Sequence, residues 1–213
     1  MFTGIAEACV PVASVAHAEG LTTFALEFPS EELLAGLVTG ASVSVDGVCL
    51  TVTRIDGARV HFDAMAETLG KTTLGALAVG ARVNVERSAR FGSEIGGHVV
   101  SGHVTGTAEI VAVDTPENNH VVTFRVPAGW MKYVFPKGFI ALDGISLTVV
   151  DVRKDRGELT VWFIPETLRR TTFGWKRAGD RVNVEIERQT QAIVDTVEDI
   201  LPRILQGMLS ARP

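Results

Sequence analysis

Internal repetition is the strongest constraint on this chain. The heptad DGVCLTV at 46–52 returns as DGISLTV at 143–149, identical at five of seven positions and displaced by 97 residues. ETLGKTTLGALAVGARVNVE at 67–86 returns as ETLRRTTFGWKRAGDRVNVE at 166–185, identical at twelve of twenty positions with a shift of 99. A fainter pair sets FTGI at 2–5 against VSGH at 100–103, and Pro29 against Pro127 keeps the same shift of 98. Three blocks in one order, displaced by a nearly constant distance, mean duplication. The period is too long for a solenoid unit, which runs to about 20–50 residues. Each copy is therefore expected to be a small domain with its own core, residues 1–97 and 98–189, followed by a tail at 190–213.

Within a copy the pattern is β. ASVSVDGVCLTVTRIDGARVHFDAM alternates small or polar residues with Val, Leu, Ile and Phe, and is punctuated by two Asp-Gly pairs. Asp-Gly supplies the positive φ angles of a tight hairpin turn. GARVNVE and GDRVNVE read as closing strands, and PSEELLAGL at 29–37 as one helical insert with Ser30 as its cap. Several short strands without strand–helix alternation predict a closed or nearly closed barrel in each copy.

After Glu187 the period changes. Ile193, Val194, Val197, Ile200, Leu201, Ile204, Leu205, Met208 and Leu209 follow helical spacing on one face. Pro202 interrupts that pattern, and a kink or a restarted helix is expected there. The stripe needs a cover, either its own barrel or a seam between subunits.

Composition closes off other classes. Hydrophobic residues make up 46% and charged residues 21%, and the net charge is −5 without a Lys/Arg cluster, which speaks against nucleic acid as a partner. Cys9 and Cys49 are too few for a disulfide framework or a zinc site. No Lys or Arg precedes Arg54, so no secretory leader is expected, and no apolar run is long enough for a membrane span. A cytoplasmic setting follows as the expectation.

The opening MFTGI, the GVCLTV and GISLTV pair, IGGHVVSGHVTGTAE, MKYVFPKGF and IPETLRRTT together resemble the riboflavin synthase family. That resemblance implies an all-β chain of two tandem six-stranded Greek-key barrels with a C-terminal α-helix that joins three subunits. It implies active sites shared between the N-barrel of one subunit and the C-barrel of its neighbour, and makes lumazine synthase a candidate partner. The implied reaction is a dismutation. Two molecules of 6,7-dimethyl-8-ribityllumazine exchange a four-carbon unit to give riboflavin and 5-amino-6-(D-ribitylamino)uracil, with no metal or redox cofactor. One substrate loses a proton from its 7-methyl group, and its twin is attacked at the adjacent ring carbon.

Carried over by position, the resemblance sets one cradle at Gly4, Ile5, Ala6, Ser42, Cys49, Leu50 and Thr51, with Asp63, Ala64, Met65, Ala66, Glu67 and Thr68. The other cradle is Gly102, His103, Val104, Lys137, Ser146, Leu147 and Thr148, with Phe163, Ile164, Pro165, Glu166, Thr167 and Leu168. His103, Ser146, Cys49, Thr148 and Lys137 are the candidates for chemistry, and Glu67 and Glu166 are suited to the ribityl hydroxyls. Two identical substrates must take opposite roles, so the differences between copies matter: Ile5 against His103, Cys49 against Ser146, and the Lys137 region. His98 and Cys9 read as structural residues, and Asp46 and Asp143 as turn residues. His98 and His103 stand five apart on an expected strand and make a poor metal pair. Two alternatives remain. A non-catalytic lumazine protein would show degraded GGHVVSGH and SLTV segments, and a flavin reductase would need a Gly-rich nicotinamide-binding unit that the chain lacks.

Overall fold

The computed structural model describes residues 1–117 and 119–210, with residues 207–210 described by backbone only. Two closed antiparallel barrels account for most of it. The first contains β1 (Ala8–Ala18), β2 (Leu21–Glu27), β3 (Ser42–Val45), β4 (Val48–Asp56), β5 (Arg59–Met65) and β6 (Arg82–Arg87), closed in the order β1-β2-β5-β4-β3-β6. The second contains β7 (Gly106–Asp114), β8 (Val121–Arg125), β9 (Phe139–Leu142), β10 (Ile145–Arg153), β11 (Glu158–Trp162) and β12 (Arg181–Ile186) in the equivalent order β7-β8-β11-β10-β9-β12. The meander β3-β4-β5 takes β2 along its outer edge, which is the Greek-key arrangement. Register shifts at Val12/Ser14, Val52/Arg54, Ile110/Ala112 and Val149/Asp151 fall at matching places in the two copies. Such bulges bend the strands enough to close a small barrel.

Strand alternation decides which residues are available for function. Val48, Leu50 and Val52 point into the first barrel and Ile145, Leu147 and Val149 into the second, where all six are buried. Cys49 and Thr51, and Ser146 and Thr148, therefore lie on the outer faces. The expected cradle residues of these strands are thus set outside the barrels, and the barrel interiors are apolar core.

The two equivalent heptad turns have positive φ at each central residue, Asp46 +43°, Gly47 +83°, Asp143 +44° and Gly144 +79°, whereas at Asp56-Gly57 only the glycine does, at +58°. The tips of the heptad turns meet back to back. A Cβ added to Gly47 would lie 2.7 Å from the Gly144 nitrogen, so only glycine permits the approach. Asn84 donates to the Asp143 carbonyl at 3.2 Å, and Asn183 donates to the Asp46 carbonyl at 2.8 Å. The Asp46 and Asp143 carboxylates accept from the backbone N–H of Asn84 and Asn183, each at 2.7 Å. The aspartates are thus more than turn residues, because they anchor the junction between barrels.

Among the described residues there are four α-helices, α1 (Glu31–Leu34), α2 (Ala66–Lys71), α3 (Pro165–Arg170) and α4 (Arg188–Ser210), with three short 3-10 helices at Thr73–Ala76, Ala128–Tyr133 and Thr172–Gly174. Ser30 caps α1 by accepting from the Leu33 N–H. The expected restart at Pro202 does not occur, and α4 runs through it. A proline there removes a single N–H donor, and the neighbouring turns keep their bonds. Nor does the stripe fold back on its barrel: Ile193, Val197, Ile200, Leu201, Ile204 and Leu205 are all exposed. The side chains of Met208 and Leu209, and residues 211–213 of the tail, lie outside the described residues. Lys132 and Tyr133 hold the start of α4 through Asp195 and Glu198.

Candidate active site

The opening segment of each repeat crosses to the other barrel. The Ser146 N–H donates to the Gly4 carbonyl at 2.8 Å, and the Cys49 N–H donates to the Gly102 carbonyl at 2.8 Å. Ala6 packs into the core of the second barrel and Val104 against that of the first. Phe2 and Val100 join the two segments by an antiparallel bridge, with N–H to O distances of 2.7 and 3.0 Å. This corrects the expected grouping: Gly4–Ala6 belong with Ser146, and Gly102–Val104 with Cys49. A repeat alignment cannot reveal an exchange in which both copies do the same thing.

Two buried glutamates hold the crossing segments. Glu86 accepts from the Thr3 N–H at 2.6 Å, the Thr3 hydroxyl at 2.7 Å and the Gly4 N–H at 3.0 Å. Glu185 does the same for Ser101 and Gly102 at 2.6, 2.8 and 2.8 Å. Burial pushes the Glu86 carboxyl up, against the lowering effect of those hydrogen bonds. Sequence reasoning missed both residues. The available signal was the repeated Glu ending RVNVE, which falls in a closing strand where a charge needs a reason.

Cys49, Gly102, His103, Val104, Glu67 and Thr68 line one cleft of about 470 Å³, with Lys71 of α2 and Arg188 and Gln191 of α4. Thr51, Asp63 and Met65 are exposed near it, Ser42 is half-buried, and Leu50 and Ala64 turn inward and can offer only backbone. Thr23 donates its hydroxyl to Asp63 at 2.6 Å. Glu67 forms an ion pair with Lys71 within α2, and Glu166 with Arg169 and Arg170 within α3. Bonding to Arg170 holds the Glu166 carboxyl below the usual range.

The second cradle gathers Gly4, Ser146 and Thr148. Ile5 lies at its edge, where a larger cleft of ≈ 820 Å³ opens between Arg87, Arg90 and Arg170. Leu147 and Phe163 are buried, Ile164 is exposed, and Pro165 starts α3. Lys137 has φ +66° where the first copy has Gly40 at +87°, and both donate their N–H at 2.8 Å, to Val149 and Val52 respectively. A side chain kept at a position that favours glycine costs about 1 kcal/mol or more, which calls for a use.

His98 changes most from its sequence reading. Its Nδ1 lies 2.6 Å from the Ser146 hydroxyl, and its ring stacks on Phe139 with centroids 5.2 Å apart. Burial pushes the imidazole below its usual pKa, although Glu185 and Glu187 oppose the shift. The segment 98–103 is no regular strand, and its two histidines reach different cradles.

A doubled outer-face cradle on twin Greek-key barrels defines a class, the tandem lumazine-binding proteins. The lumazine binding domain family matches residues 3–88 and again 101–187. Riboflavin synthase of Escherichia coli (strain K12) is 52% identical over 202 residues, 94% of this chain and 93% of that protein. Riboflavin synthase of Mycobacterium bovis is 44% identical over 191 residues, 88% of this chain and 93% of that protein. Among solved structures, LumP complexed with 6,7-dimethyl-8-(1'-D-ribityl) lumazine superposes with a TM-score of 0.77 at 26% identity, covering 87% of this chain and 98% of that one. LumP complexed with riboflavin gives 0.78 at 27% identity, covering 88% and 100%. The chain belongs to the riboflavin synthase family.

Proposed function

We propose that this chain is a riboflavin synthase that converts two molecules of 6,7-dimethyl-8-ribityllumazine into riboflavin and 5-amino-6-(D-ribitylamino)uracil. The observation that carries the reading is the pair of equivalent but chemically unequal cradles, one with Cys49 and His103, the other with Ser146 and His98. Twin substrates need twin sites, and opposite roles need different side chains. Identity to the curated riboflavin synthases is about twice that to LumP, which favours turnover over simple binding.

In this mechanism the chain's main contribution is position. Holding two flat rings in register replaces an encounter in solution by an oriented pair. Backbone groups of the 4–6 and 102–104 segments bind the ring edges, and the outer threonines Thr51 and Thr148 add hydroxyl contacts. His103 is the proton-transfer group at the first cradle, and His98 acts on Ser146 at the second. Lys137 and Cys49 complete the reacting surfaces. The exposed stripe of α4 supports a homotrimer in which the first barrel of one subunit faces the second barrel of the next. Residues 1–97, 98–189 and 190–213 are the functional divisions, the setting is cytoplasmic, and lumazine synthase is a candidate partner. Among the described residues no helix is long and apolar enough to cross a membrane.

Purified protein incubated with the lumazine alone is expected to yield riboflavin and the diaminouracil in equal amounts. Binding without turnover would reassign the chain to a non-catalytic lumazine carrier.

A further inference from the structure

We propose that Trp162 is a ring-stacking wall of the second cradle and, with Phe139, sets that cradle's affinity for a flat heteroaromatic ligand. This rests on the lumazine-binding reading above and assigns a residue outside the cradle positions already considered. The observation is a row of outward-facing positions that crosses neighbouring strands in each barrel.

In the first barrel Ser42 is paired with Thr51, and Asp63 with Thr23. Val52 lies opposite Phe62, so one step along the antiparallel ladder sets Thr51 beside Asp63. The row Ser42, Thr51, Asp63, Thr23 is polar throughout. In the second barrel Phe139 is paired with Thr148, and Trp162 with Val121. Val149 lies opposite Val161, so the same step sets Thr148 beside Trp162. The matching row is Phe139, Thr148, Trp162, Val121. Only the threonine is kept; serine has become phenylalanine and aspartate has become tryptophan.

Phe139 and Trp162 remain 48% and 52% exposed, a large apolar area for the outer face of two strands. One side of Phe139 is already stacked by His98, which contacts Ser146. Thr148 therefore stands between two aromatic side chains at the cradle's edge. A flat ligand hydrogen-bonded at Thr148 has aromatic surface on either flank, and aromatic pairs prefer offset or edge contacts at such spacings. The corresponding place in the first barrel offers a carboxylate and hydroxyls, suited to a polyhydroxyl chain. The two cradles thus differ in ring affinity, and the second is the tighter site for the flavin product.

The test is a titration of the full-length protein with riboflavin and with 6,7-dimethyl-8-ribityllumazine, read by ligand and tryptophan fluorescence. Wild type is expected to show two classes of site per chain. Trp162→Asp, which installs the first barrel's residue, should weaken the tighter class by about tenfold and leave the other within about twofold, the size of one lost aromatic contact. Trp162→Phe should retain most of that affinity and remove the larger part of the tryptophan quenching caused by riboflavin. Should Trp162→Asp fail to fold, this quenching comparison decides alone. Unchanged site classes in a folded Trp162→Asp, or quenching that survives in Trp162→Phe, would overturn the proposal while leaving lumazine binding intact. Loss of subunit assembly with unchanged binding per chain would also overturn it, assigning Trp162 to a contact between subunits. Failure of wild type to bind either ligand would remove the lumazine-binding reading and this proposal together.

Discussion

Ser146 of the second barrel donates its backbone N–H to the carbonyl of Gly4, which opens the first repeat, at 2.8 Å. Through this bond and its twin between Cys49 and Gly102, each barrel's cradle is finished by residues of the other repeat. Duplication therefore produced one interlocked unit, and a change in either opening segment is felt at the other barrel's site.

Gly102→Ala is expected to disable the first cradle. Gly102 has φ +83°, and a Cβ there would lie 2.5 Å from the Cys49 Cβ and 2.8 Å from the Phe2 ring. The strain alone is about 1–3 kcal/mol, and the crossing segment must shift to relieve it. Lumazine titration should show one site class lost with the other retained. By the same logic, a fragment of residues 1–97 should bind lumazine more weakly than one extended through Val104.

His103→Ile, which copies the first repeat's Ile5, is expected to lower kcat by about 10²- to 10⁴-fold, the usual contribution of a positioned general acid or base. An apolar side chain of similar bulk leaves the cleft's shape intact, so binding should stay within a few-fold. Steady-state kinetics beside a fluorescence titration separates the two, and near-normal turnover would remove His103 from the chemistry.

His98→Gln keeps a hydrogen-bonding group near the Ser146 hydroxyl but cannot titrate. Burial holds the wild-type imidazole below 6.5, so it is neutral at pH 7 and charges only as pH falls further. Wild-type kcat should accordingly fall along an acid limb below that value. In His98→Gln the limb should vanish, with kcat reduced by about 10²-fold or more across the range.

Much of this architecture was legible because repetition fixes equivalences that single residues cannot. The Asp-Gly turns, the closing RVNVE strands and the strand alternation led directly to two barrels with Cys49 and Ser146 at equivalent positions. The exchange of opening segments was not legible, since the contact of Gly4 with Ser146 spans most of the chain and no local pattern encodes it. For a related reason, His98 gave no sign of its contact with the Ser146 hydroxyl. Its partner is 48 residues away, and its neighbours in sequence suggest only a strand. Glu86 and Glu185 stood in plain view in the repeated block, but a terminal Glu on a strand ordinarily meets solvent.

Deletion of residues 190–213 is expected to weaken subunit association and activity together. The stripe from Ile193 to Leu205 is uncovered within the chain, and the helix start is held mainly by Lys132 and Tyr133. Light scattering and turnover measured over one concentration series should fall in parallel. An unchanged mass with unchanged activity would place the subunit contacts elsewhere.

The barrel junction should give stability a pH dependence that opposes the usual carboxylate trend. Burial, and then the charge of Asp143, push the Asp46 carboxyl well above its ordinary value, and Lys176 only partly offsets them. Burial raises Asp143 as well, although the Lys176 ammonium 3.0 Å away and the Asn183 N–H favour its charged form. Burial works against the Lys176 charge, but attraction to Asp143 and Asp46 outweighs it and raises its pKa. For a carboxyl raised in the folded state, the unfolded chain ionises first. The stabilisation is complete below about pH 4, the ordinary value for Asp, and is lost as pH rises through the folded value. Asp46→Asn keeps an oxygen to accept from the Asn84 N–H, tolerates the positive φ, and cannot ionise. Urea unfolding at successive pH values from 4 to 8 should show wild-type stability declining relative to Asp46→Asn, with the two closest at the acid end. Parallel curves would mean that Asp46 is ionised in the folded protein, and that Lys176 and the turn amides satisfy both carboxylates.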